Sequence, residues 1–411
     1  MLRAGAPRAA VGRVASFSRR KPKAGERMYK LLVVFGTRPE AIKMAPLIGG
    51  LARYPEEFDI RVAVTAQHRE MLDQVLRLFR IKPDYDLDIM QPGQDLFDIT
   101  VHALRGLQGI LSGESWDLVL VHGDTTTTLV AALAAYYRQV PVGHVEAGLR
   151  TFRKYSPFPE EINRHVVGVV ADLHFAPTAT SKANLLAEGV APANIFVTGN
   201  TVIDALKATV DPAWSFAGGP LGQIDFAAKR VLLVTTHRRE NLGEPMREIY
   251  RALADVVRDF RDVEIVFPVH LNPAVRRCVD EELGGLPRVH LCDPLDYQPH
   301  VNLMARCHLV LTDSGGMQEE APALGKPVLV LRESTERPEA VTAGTVRMVG
   351  TDRGKIFAET TRLLSEPAAY RAMAEAVNPY GDGLAAGRIV AALRYRFGLT
   401  DEPPGEFSTG R

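Results

Sequence analysis

Several features that would place a chain in other classes of protein are scarce or missing here. The 411 residues include 3 cysteines, scattered without a C-x-x-C pair, which argues against a disulfide framework or a structural zinc site and favours a reducing compartment. No apolar run approaches the roughly 18 residues that a membrane-spanning helix needs. Basic and acidic residues number 49 each, so no net charge attracts nucleic acid or an anionic membrane. We therefore expect a cytoplasmic protein with neither kind of partner.

Acidic residues are almost missing from residues 1–27. Eight basic residues there face one acid, Glu26. This composition is typical of a transit peptide or a basic arm. The alternative, which we favour, is an upstream start codon, with translation beginning at Met28 instead of Met1. We expect the segment to be disordered in either case.

What the chain does contain is a repeated alternation of strand and helix patterns. Continuous apolar runs such as residues 30–35 are typical of strands buried on both faces of a parallel sheet, and helical stripes follow them. The alternation restarts after a stretch rich in proline and glycine at residues 211–222. Since 411 residues exceed one compact core, we predict an α/β protein with two Rossmann-like, doubly wound domains facing a central cleft.

The same pattern predicts the domain boundaries. We expect residues 28–198 to form the first domain and residues 199–379 a second, nucleotide-binding domain. After a break at Asn378–Gly381, an amphipathic helix within residues 380–397 is expected to complete the first domain. Residues 398–411 would form a tail.

One strand–turn–helix unit carries a nucleotide signature. Residues 308–311 are predicted as a strand and residues 317–324 as a helix, with SGG at residues 314–316 between them. Glycines there let backbone N–H groups approach a phosphate at the helix N-terminus. Glu320, one turn further on, can accept hydrogen bonds from both hydroxyls of a ribose. A plain turn punctuated by glycine is the alternative.

Polar residues also follow the other predicted strands. The segments are residues 36–43 (GTRPEAIK), 122–128 (HGDTTTT), 144–150 (HVEAGLR), 159–161 (PEE), 237–240 (HRRE), 313–320 (DSGGMQEE) and 335–339 (TERPE). In order and spacing they resemble the non-hydrolysing UDP-N-acetylglucosamine 2-epimerases of bacteria, from about residue 28 to about residue 397. The resemblance implies a GT-B-like fold, a homodimer, and interconversion of UDP-N-acetylglucosamine and UDP-N-acetylmannosamine for surface polysaccharide synthesis.

The resemblance also implies a mechanism without a cofactor. The family eliminates UDP, leaving a 2-acetamidoglucal, and adds UDP back after reprotonation of carbon 2 from the opposite face. Such chemistry requires carboxylates on more than one side of the sugar and cations around the departing diphosphate. Which carboxylate removes the proton and which returns it stays open. No H-E-x-x-H motif or paired aspartates suggest a metal.

Matched motif by motif, the family's functional residues fall on two sets of positions. Those implied for catalysis are Asp124, Glu146, Glu160 and His237. Those implied for UDP binding are Arg38, Lys43, His270, Ser314, Gly315, Gly316, Glu320 and Arg337, with His237 also near the diphosphate. The structural alternatives are a helix cap for Asp124, a helix-dipole role for Glu160 and ordinary core or surface histidines.

A second, activating site for UDP-N-acetylglucosamine is a further implication of the resemblance. Gln67, His68 and Glu70, with the loop at residues 90–94, occupy the corresponding region. Some members carry Gln where this chain has Glu70 and Arg where it has Gly93, so a potential phosphate clamp is missing here.

Three other functions compete with the epimerase. A hydrolysing epimerase would release UDP and free N-acetylmannosamine, and a glycosyltransferase could share the fold. A catalytically silent nucleotide-sugar sensor could use the basic segment at residues 1–27 to bind nucleic acid, although all three acids are present.

Overall fold

The computed structural model of the protein describes residues 28–66, 69–91, 93–216 and 218–410. Residues 1–27, for which the sequence predicts disorder, lie outside this range. Two parallel sheets dominate the described residues, and helices cover the faces of each. Among these helices, none is both long and apolar enough to cross a membrane.

The first sheet contains seven parallel strands. They are β1 (Tyr29–Phe35), β2 (Phe58–Val64), β3 (Tyr85–Asp86), β4 (Leu118–His122), β5 (Val142–Val145), β6 (Leu173–Ala176) and β7 (Ile195–Val197), in the order β3-β2-β1-β4-β5-β6-β7. The helices that alternate with them are α1 (Arg38–Leu51), α2 (Arg69–Leu78), α3 (Leu96–Gly113), α4 (Thr126–Tyr137), α5 (Glu160–Val170), α6 (Ala179–Ala187) and α7 (Thr201–Thr209). Strand β1 is buried on both faces and pairs in register with β2 along its whole length.

The second sheet contains six parallel strands. They are β8 (Arg230–Thr235), β9 (Val263–Pro268), β10 (Val289–Cys292), β11 (Leu309–Thr312), β12 (Val328–Val330) and β13 (Val346–Met348), in the order β10-β9-β8-β11-β12-β13. The remaining helices are α8 (Glu244–Asp259), α9 (Pro273–Leu283), α10 (Tyr297–Arg306), α11 (Gly315–Ala323), α12 (Pro338–Ala343), α13 (Arg353–Ser365), α14 (Pro367–Ala374) and α15 (Ala385–Arg396).

Both sheets have the strand order of a dinucleotide-binding fold, and the predicted fold class is confirmed. In each sheet the chain reverses direction across the sheet next to its first strand, between β1 and β4 and between β8 and β11. Loops at the carboxyl ends of these neighbouring strands diverge and leave a crevice. The motifs at residues 36–43, 122–128, 237–240 and 313–320 follow these four strands.

The last helix returns to the first sheet. Ile389 and Leu393 of α15 share a buried core with β1, and the ring of Phe397 stacks on Tyr29 at 4.2 Å. The following tail also packs on the first sheet, because the N–H of Phe407 donates to the carbonyl of Val197 at 2.8 Å. Apolar burial is the cause, since these side chains are nearly inaccessible to water.

The two chain crossings between the sheets lie side by side. Gly199 has a φ of +85°, and a Cβ built on it would lie 3.4 Å from the Cα of Gly381. The N–H of Asn200 donates to the carbonyl of Tyr380 at 2.6 Å. The chain therefore passes from one sheet to the other and back through a single narrow connection.

Some element boundaries differ from those predicted. Helix α11 begins at Gly315, not at residue 317, because glycine tolerates helical φ and ψ and Ser314 occupies the N-cap position. Strands β3 and β13 were not predicted, since runs of 2 and 3 residues carry no period.

Candidate active site

A cavity of about 610 Å³ lies between the carboxyl ends of the two sheets. The start of α1 forms one wall, and the loops after β8 and β11 form the other. Eight of the predicted site residues line it, namely Arg38, Lys43, His237, His270, Ser314, Gly316, Glu320 and Arg337. Gly315 lies beside them, because a Cβ built on it would be 3.8 Å from Cζ of Arg337.

The buried carboxylate of Glu40 holds the loop after β1 in place. Its Oε2 accepts hydrogen bonds from the backbone N–H groups of Gly36 and Thr37, at 3.1 and 2.8 Å. Its Oε1 accepts from the hydroxyls of Thr125 and Thr128, which begin α4. Glu40 therefore connects the loop after β1 with the start of α4, which follows the neighbouring strand β4. These contacts fix the position of the wall that carries Arg38 and Lys43.

Glu146 and Lys43 form an ion pair at the carboxyl edge of the first sheet. Glu146 follows β5 directly and has a φ of +62°, which is a strained conformation for a residue with a Cβ. Burial alone would raise the pKa of Glu146, but Lys43, His122 and Arg337 together hold that pKa well below its usual range. The carboxylate is thus kept ionised although its side chain is only 8% exposed.

Asp124 contacts α5, the helix that begins at Glu160. Asp124 accepts from Arg164 at 2.5 Å, and its backbone carbonyl accepts from Nδ2 of Asn163 at 2.8 Å. Thr125, not Asp124, is the N-cap of α4, so the cap alternative for Asp124 is wrong. Glu160 is the first residue of α5, and its Oε2 is buried without a hydrogen-bond partner among the described residues.

Glu161 has a different role from Glu160. Its carboxylate, which is 0% exposed, accepts hydrogen bonds from the N–H groups of Thr151 and Phe152 at 2.8–3.0 Å. It also pairs with Arg164 at 3.0 Å. These contacts fix the loop that separates Glu146 from α5, so Glu161 supports the site without facing the cavity.

The N-terminus of α11 and Arg337 form a cationic surface on the opposite wall. The first N–H groups of a helix lack partners within it, and the two glycines there leave them accessible. Arg337 pairs with Glu319, whose side chain is 1% exposed. Because Glu319 and Glu320 are neighbours on a helix, they point in different directions, and only Glu320 bonds to Tyr297.

A buried aspartate orients the histidines of this wall. Asp313 accepts from the N–H groups of His237 and Arg238, at 3.0 and 2.9 Å, and is 0% exposed. The ring of His237 stacks on that of His270 with a centroid distance of 5.9 Å. Burial lowers the pKa of His237, so the imidazole is mainly neutral and carries one N–H, and its Nδ1 lies 3.2 Å from Oδ1 of Asp313.

Glu320 lines the cavity and is 9% exposed. Its Oε1 accepts from the hydroxyl of Tyr297 at 3.3 Å. Burial, followed by the negative charge of Glu319, raises the pKa of Glu320 to about 7. A ligand that donates hydrogen bonds, such as a ribose diol, would stabilise its ionised form.

The predicted second site is described only in part. Gln67 and His68 lie outside the described residues. Glu70 is exposed in the first turn of α2, and the neighbouring Arg69 pairs with Asp86 at 2.5 Å.

Two residues of the site were not predicted from the sequence. Asn200 and Glu319 are both buried, and the Nδ2 of Asn200 donates to Glu319 at 3.1 Å and to Glu146 at 2.8 Å. Each lies in a polar segment that follows a predicted strand, and this position could have indicated it. The segments are GN at residues 199–200 and QEE at residues 318–320.

Two doubly wound sheets that face each other, with an anion-binding helix end and a ribose-sized acceptor in the cleft, define a nucleotide-binding protein of the GT-B-like class. The sequence agrees with a family model described as UDP-N-acetylglucosamine 2-epimerase over residues 52–394. The chain belongs to the UDP-N-acetylglucosamine 2-epimerase family. The predicted family is thereby confirmed, as is the prediction of an isomerase.

Relatives of known name match nearly the whole chain. The UDP-N-acetylglucosamine 2-epimerase of Escherichia coli K12 is 58% identical over 373 residues, which cover 89% of this chain and 98% of that relative. That of Bacillus subtilis 168 is 54% identical over 379 residues, covering 92% and 98%. The crystal structure of UDP-GlcNAc 2-epimerase from Neisseria meningitidis bound to UDP-GlcNAc superposes with a TM-score of 0.79 at 49% identity, covering 89% of this chain and 99% of that one.

Proposed function

We propose that this protein interconverts UDP-N-acetylglucosamine and UDP-N-acetylmannosamine by elimination and re-addition of UDP, without hydrolysis. One base removes the proton from carbon 2 while the bond between carbon 1 and the diphosphate oxygen breaks. The electron pair left at carbon 2 forms the double bond of a 2-acetamidoglucal. An acid then protonates carbon 2 from the other face, and UDP attacks carbon 1 again.

One observation supports the proposal: cationic side chains from both sheets line a single cavity, and one of them, Lys43, pairs with Glu146. From the first sheet Arg38 and Lys43 line it, and Lys43 pairs with the ionised Glu146, which is not itself among the lining residues. The α11 N-terminus and Arg337 approach it from the second. This arrangement suits a leaving diphosphate among the cations and a sugar placed toward Glu146, because cations stabilise the charge that develops as the bond to carbon 1 breaks.

The environments of the three acids fit proton transfer. Glu146 is kept ionised by Lys43, and Asp124 pairs with Arg164. Glu160 has a buried oxygen without a partner among the described residues, as a group that exchanges protons with a ligand requires. Which of them is the base and which the acid stays open, since the stereochemistry of a bound sugar decides it.

The nucleotide part of the substrate has its own contacts in this proposal. Ser314, Gly315, Gly316 and Arg337 would bind the diphosphate, with His237 beside them. Glu320 would accept from the ribose hydroxyls. Arg38, Lys43 and His270 border the same cavity and would complete the binding of UDP.

Isotope labelling tests the mechanism directly. Product formed in deuterated water should carry deuterium at carbon 2, observed by proton NMR, with no nicotinamide added. An oxygen-18 label in the bridge between carbon 1 and the β-phosphate should scramble into non-bridging positions as UDP rebinds. Asp124→Asn and Glu146→Gln should slow both processes, by about 10²–10⁴-fold each. Deuterium uptake with the bridge label retained would contradict elimination.

Product analysis separates the competing functions. A hydrolysing epimerase releases UDP and free N-acetylmannosamine, whereas a glycosyltransferase needs an acceptor and leaves carbon 2 unchanged. A silent sensor forms no product. Salt-dependent retention on DNA, lost when residues 1–27 are removed, would support the sensor.

We also propose that the protein is a homodimer. Large apolar side chains are exposed on the adjacent helices α3, α4 and α5, among them Phe97 at 80%, Tyr137 at 65% and Val169 at 87%. Large apolar side chains exposed on neighbouring helices are costly in water and are typical of an interface. Light scattering should show a dimer, and Phe97→Asp with Val169→Asp should convert it to a monomer.

The biological setting remains part of the proposal. The three cysteines are free, as suits a reducing cytoplasm. The product would supply surface polysaccharide synthesis. Activation by UDP-N-acetylglucosamine at a second site near Glu70 would appear as a sigmoidal dependence of rate on substrate concentration.

A further inference from the structure

Asn200 joins two carboxylates that belong to different sides of the cleft. Its Nδ2 donates to Oε2 of Glu146 at 2.8 Å and to Oε2 of Glu319 at 3.1 Å, and the residue is 2% exposed. The amide oxygen is occupied elsewhere, because it accepts from the N–H of Val202 at 3.0 Å and caps α7. Both amide hydrogens are therefore committed to the carboxylates.

The contacts of Glu146 fall on one of its two oxygens. Among the described residues, Lys43, Asn200 and, at 3.7 Å, Nε2 of His122 all approach Oε2. Oε1 faces the turn at Gly123, where a Cβ would lie 3.6 Å away. The two oxygens are thus chemically distinct, with one held by donors and the other available.

Glu319 also uses its two oxygens for different contacts. Its Oε1 accepts from Nε of Arg337, while its Oε2 takes the hydrogen bond from Asn200. Nδ2 of Asn378 donates to the backbone carbonyl of Glu319 at 2.9 Å, next to the chain crossing. Lys43, Glu146, Asn200, Glu319 and Arg337 therefore form a continuous series of contacts from the first domain to the second.

We propose that Asn200 and Glu319 are positioning residues that hold Oε2 of Glu146 and the guanidinium of Arg337, so that Oε1 of Glu146 exchanges the proton with carbon 2. This inference rests on the proposed function. Holding one oxygen restricts rotation of the carboxylate and aims the other at the sugar, and geometric restriction of a reacting group contributes to rate. Through Glu319, the same amide aligns the cation that faces the leaving diphosphate.

Substitutions at position 200 can separate this role from helix capping. Asn200→Ser keeps a side-chain oxygen for the cap and removes both amide hydrogens. It should lower kcat and the rate of deuterium incorporation at carbon 2 by roughly 10- to 100-fold, the effect of one hydrogen bond to a charged group. The dissociation constant for UDP should change by less than about threefold, since Arg337 keeps Glu319. Asp352→Ser, at the N-cap of α13, is the matched control and should leave kcat unchanged.

Asn200→Asp supplies a signature that a cap alone would not produce. Aspartate caps a helix as well as asparagine does, but the introduced carboxyl lies between Glu146 and Glu319. The charges around it are those of Lys43, Arg337 and these two acids, with His122 beyond Glu146. Protonated at low pH, it still donates one hydrogen bond; ionised at higher pH, it repels both carboxylates. The kcat of this variant should therefore fall relative to wild type as pH rises.

Glu319→Gln completes the test. It should weaken UDP binding and lower kcat together, because Arg337 loses its ionic partner. The double variant Asn200→Ser/Glu319→Gln should have a kcat within about threefold of the slower single variant, since coupled residues are not additive. A kcat for Asn200→Ser within about twofold of wild type, or a pH profile of Asn200→Asp parallel to wild type, would overturn the inference. Wild-type protein that leaves UDP-N-acetylglucosamine unchanged would instead contradict the proposed function.

Discussion

The hydroxyl of Tyr297 lies 3.3 Å from Oε1 of Glu320, and both side chains line the cavity between the two sheets. Tyr297 itself stays protonated, because burial and the charge of Glu320 raise its pKa well above the usual value. It therefore donates to the carboxyl group and leaves the second oxygen of Glu320 for a ligand. Two predictions depend on this pair.

Replacing Glu320 should weaken the binding of UDP. Glu320→Ala removes the acceptor for the ribose hydroxyls, and one hydrogen bond to a charged group is worth roughly 1.5–3 kcal/mol, or about 10- to 100-fold in affinity. Calorimetry with UDP measures this directly. Glu333→Ala, at an exposed position outside the cavity, is the control and should bind as wild type does. Equal affinity of wild type and Glu320→Ala would assign Glu320 a structural role.

The affinity for UDP should also depend on pH through Glu320. Its pKa is raised to about 7 in the unliganded protein, mainly by burial. The ionised form accepts the ribose hydroxyls, so binding lowers this pKa and is favoured above pH 7. Between pH 8 and pH 6 the affinity of wild type should fall by up to about tenfold more than that of Glu320→Ala. Comparing the two proteins cancels the titration of UDP itself, and identical profiles would contradict the prediction.

Glu40 should matter for stability more than for chemistry. Glu40→Ala leaves the N–H groups of Gly36 and Thr37 and the hydroxyl of Thr125 without their acceptor, whereas the hydroxyl of Thr128 keeps the carbonyl of His122. Buried donors without partners cost about 1–3 kcal/mol each, so we expect a loss of about 2–4 kcal/mol in the free energy of unfolding after partial relaxation. Urea titrations measure it. Glu56→Ala, at an exposed position, should change stability by less than about 0.5 kcal/mol.

Substrate binding should close the cleft. The chain passes from the first sheet to the second near Gly199 and returns near Gly381, and we expect the domains to rotate about this connection. Closure would exclude water from the glycal intermediate. Small-angle scattering should show a smaller radius of gyration for wild type at saturating UDP-N-acetylglucosamine. At a ligand concentration too low to occupy Glu320→Ala, the radius of gyration of that variant should not change. A constant radius at saturation would contradict closure.

Several parts of the site could be predicted from the sequence because of how parallel sheets are built. Strands buried on both faces are continuous apolar runs, and polar residues that follow them share one edge of the sheet. Arg38, His237 and Ser314, which the resemblance implies for UDP binding, each follow such a strand, and they line one cavity. The cap alternative for Asp124 failed because four consecutive threonines offer several possible caps, and only three-dimensional geometry selects Thr125.

The sequence by itself determined the fold class, the family and eight of the residues that line the cavity, because local apolar periodicity and short motifs carry that information. Only the tertiary structure decided that Asn200 bonds to Glu146 and Glu319, which are 54 and 119 residues away. It also decided that Glu320 is buried enough for its pKa to reach about 7. Contacts and proton affinities depend on what surrounds a side chain in space, and packing brings those neighbours together from segments whose local patterns are independent.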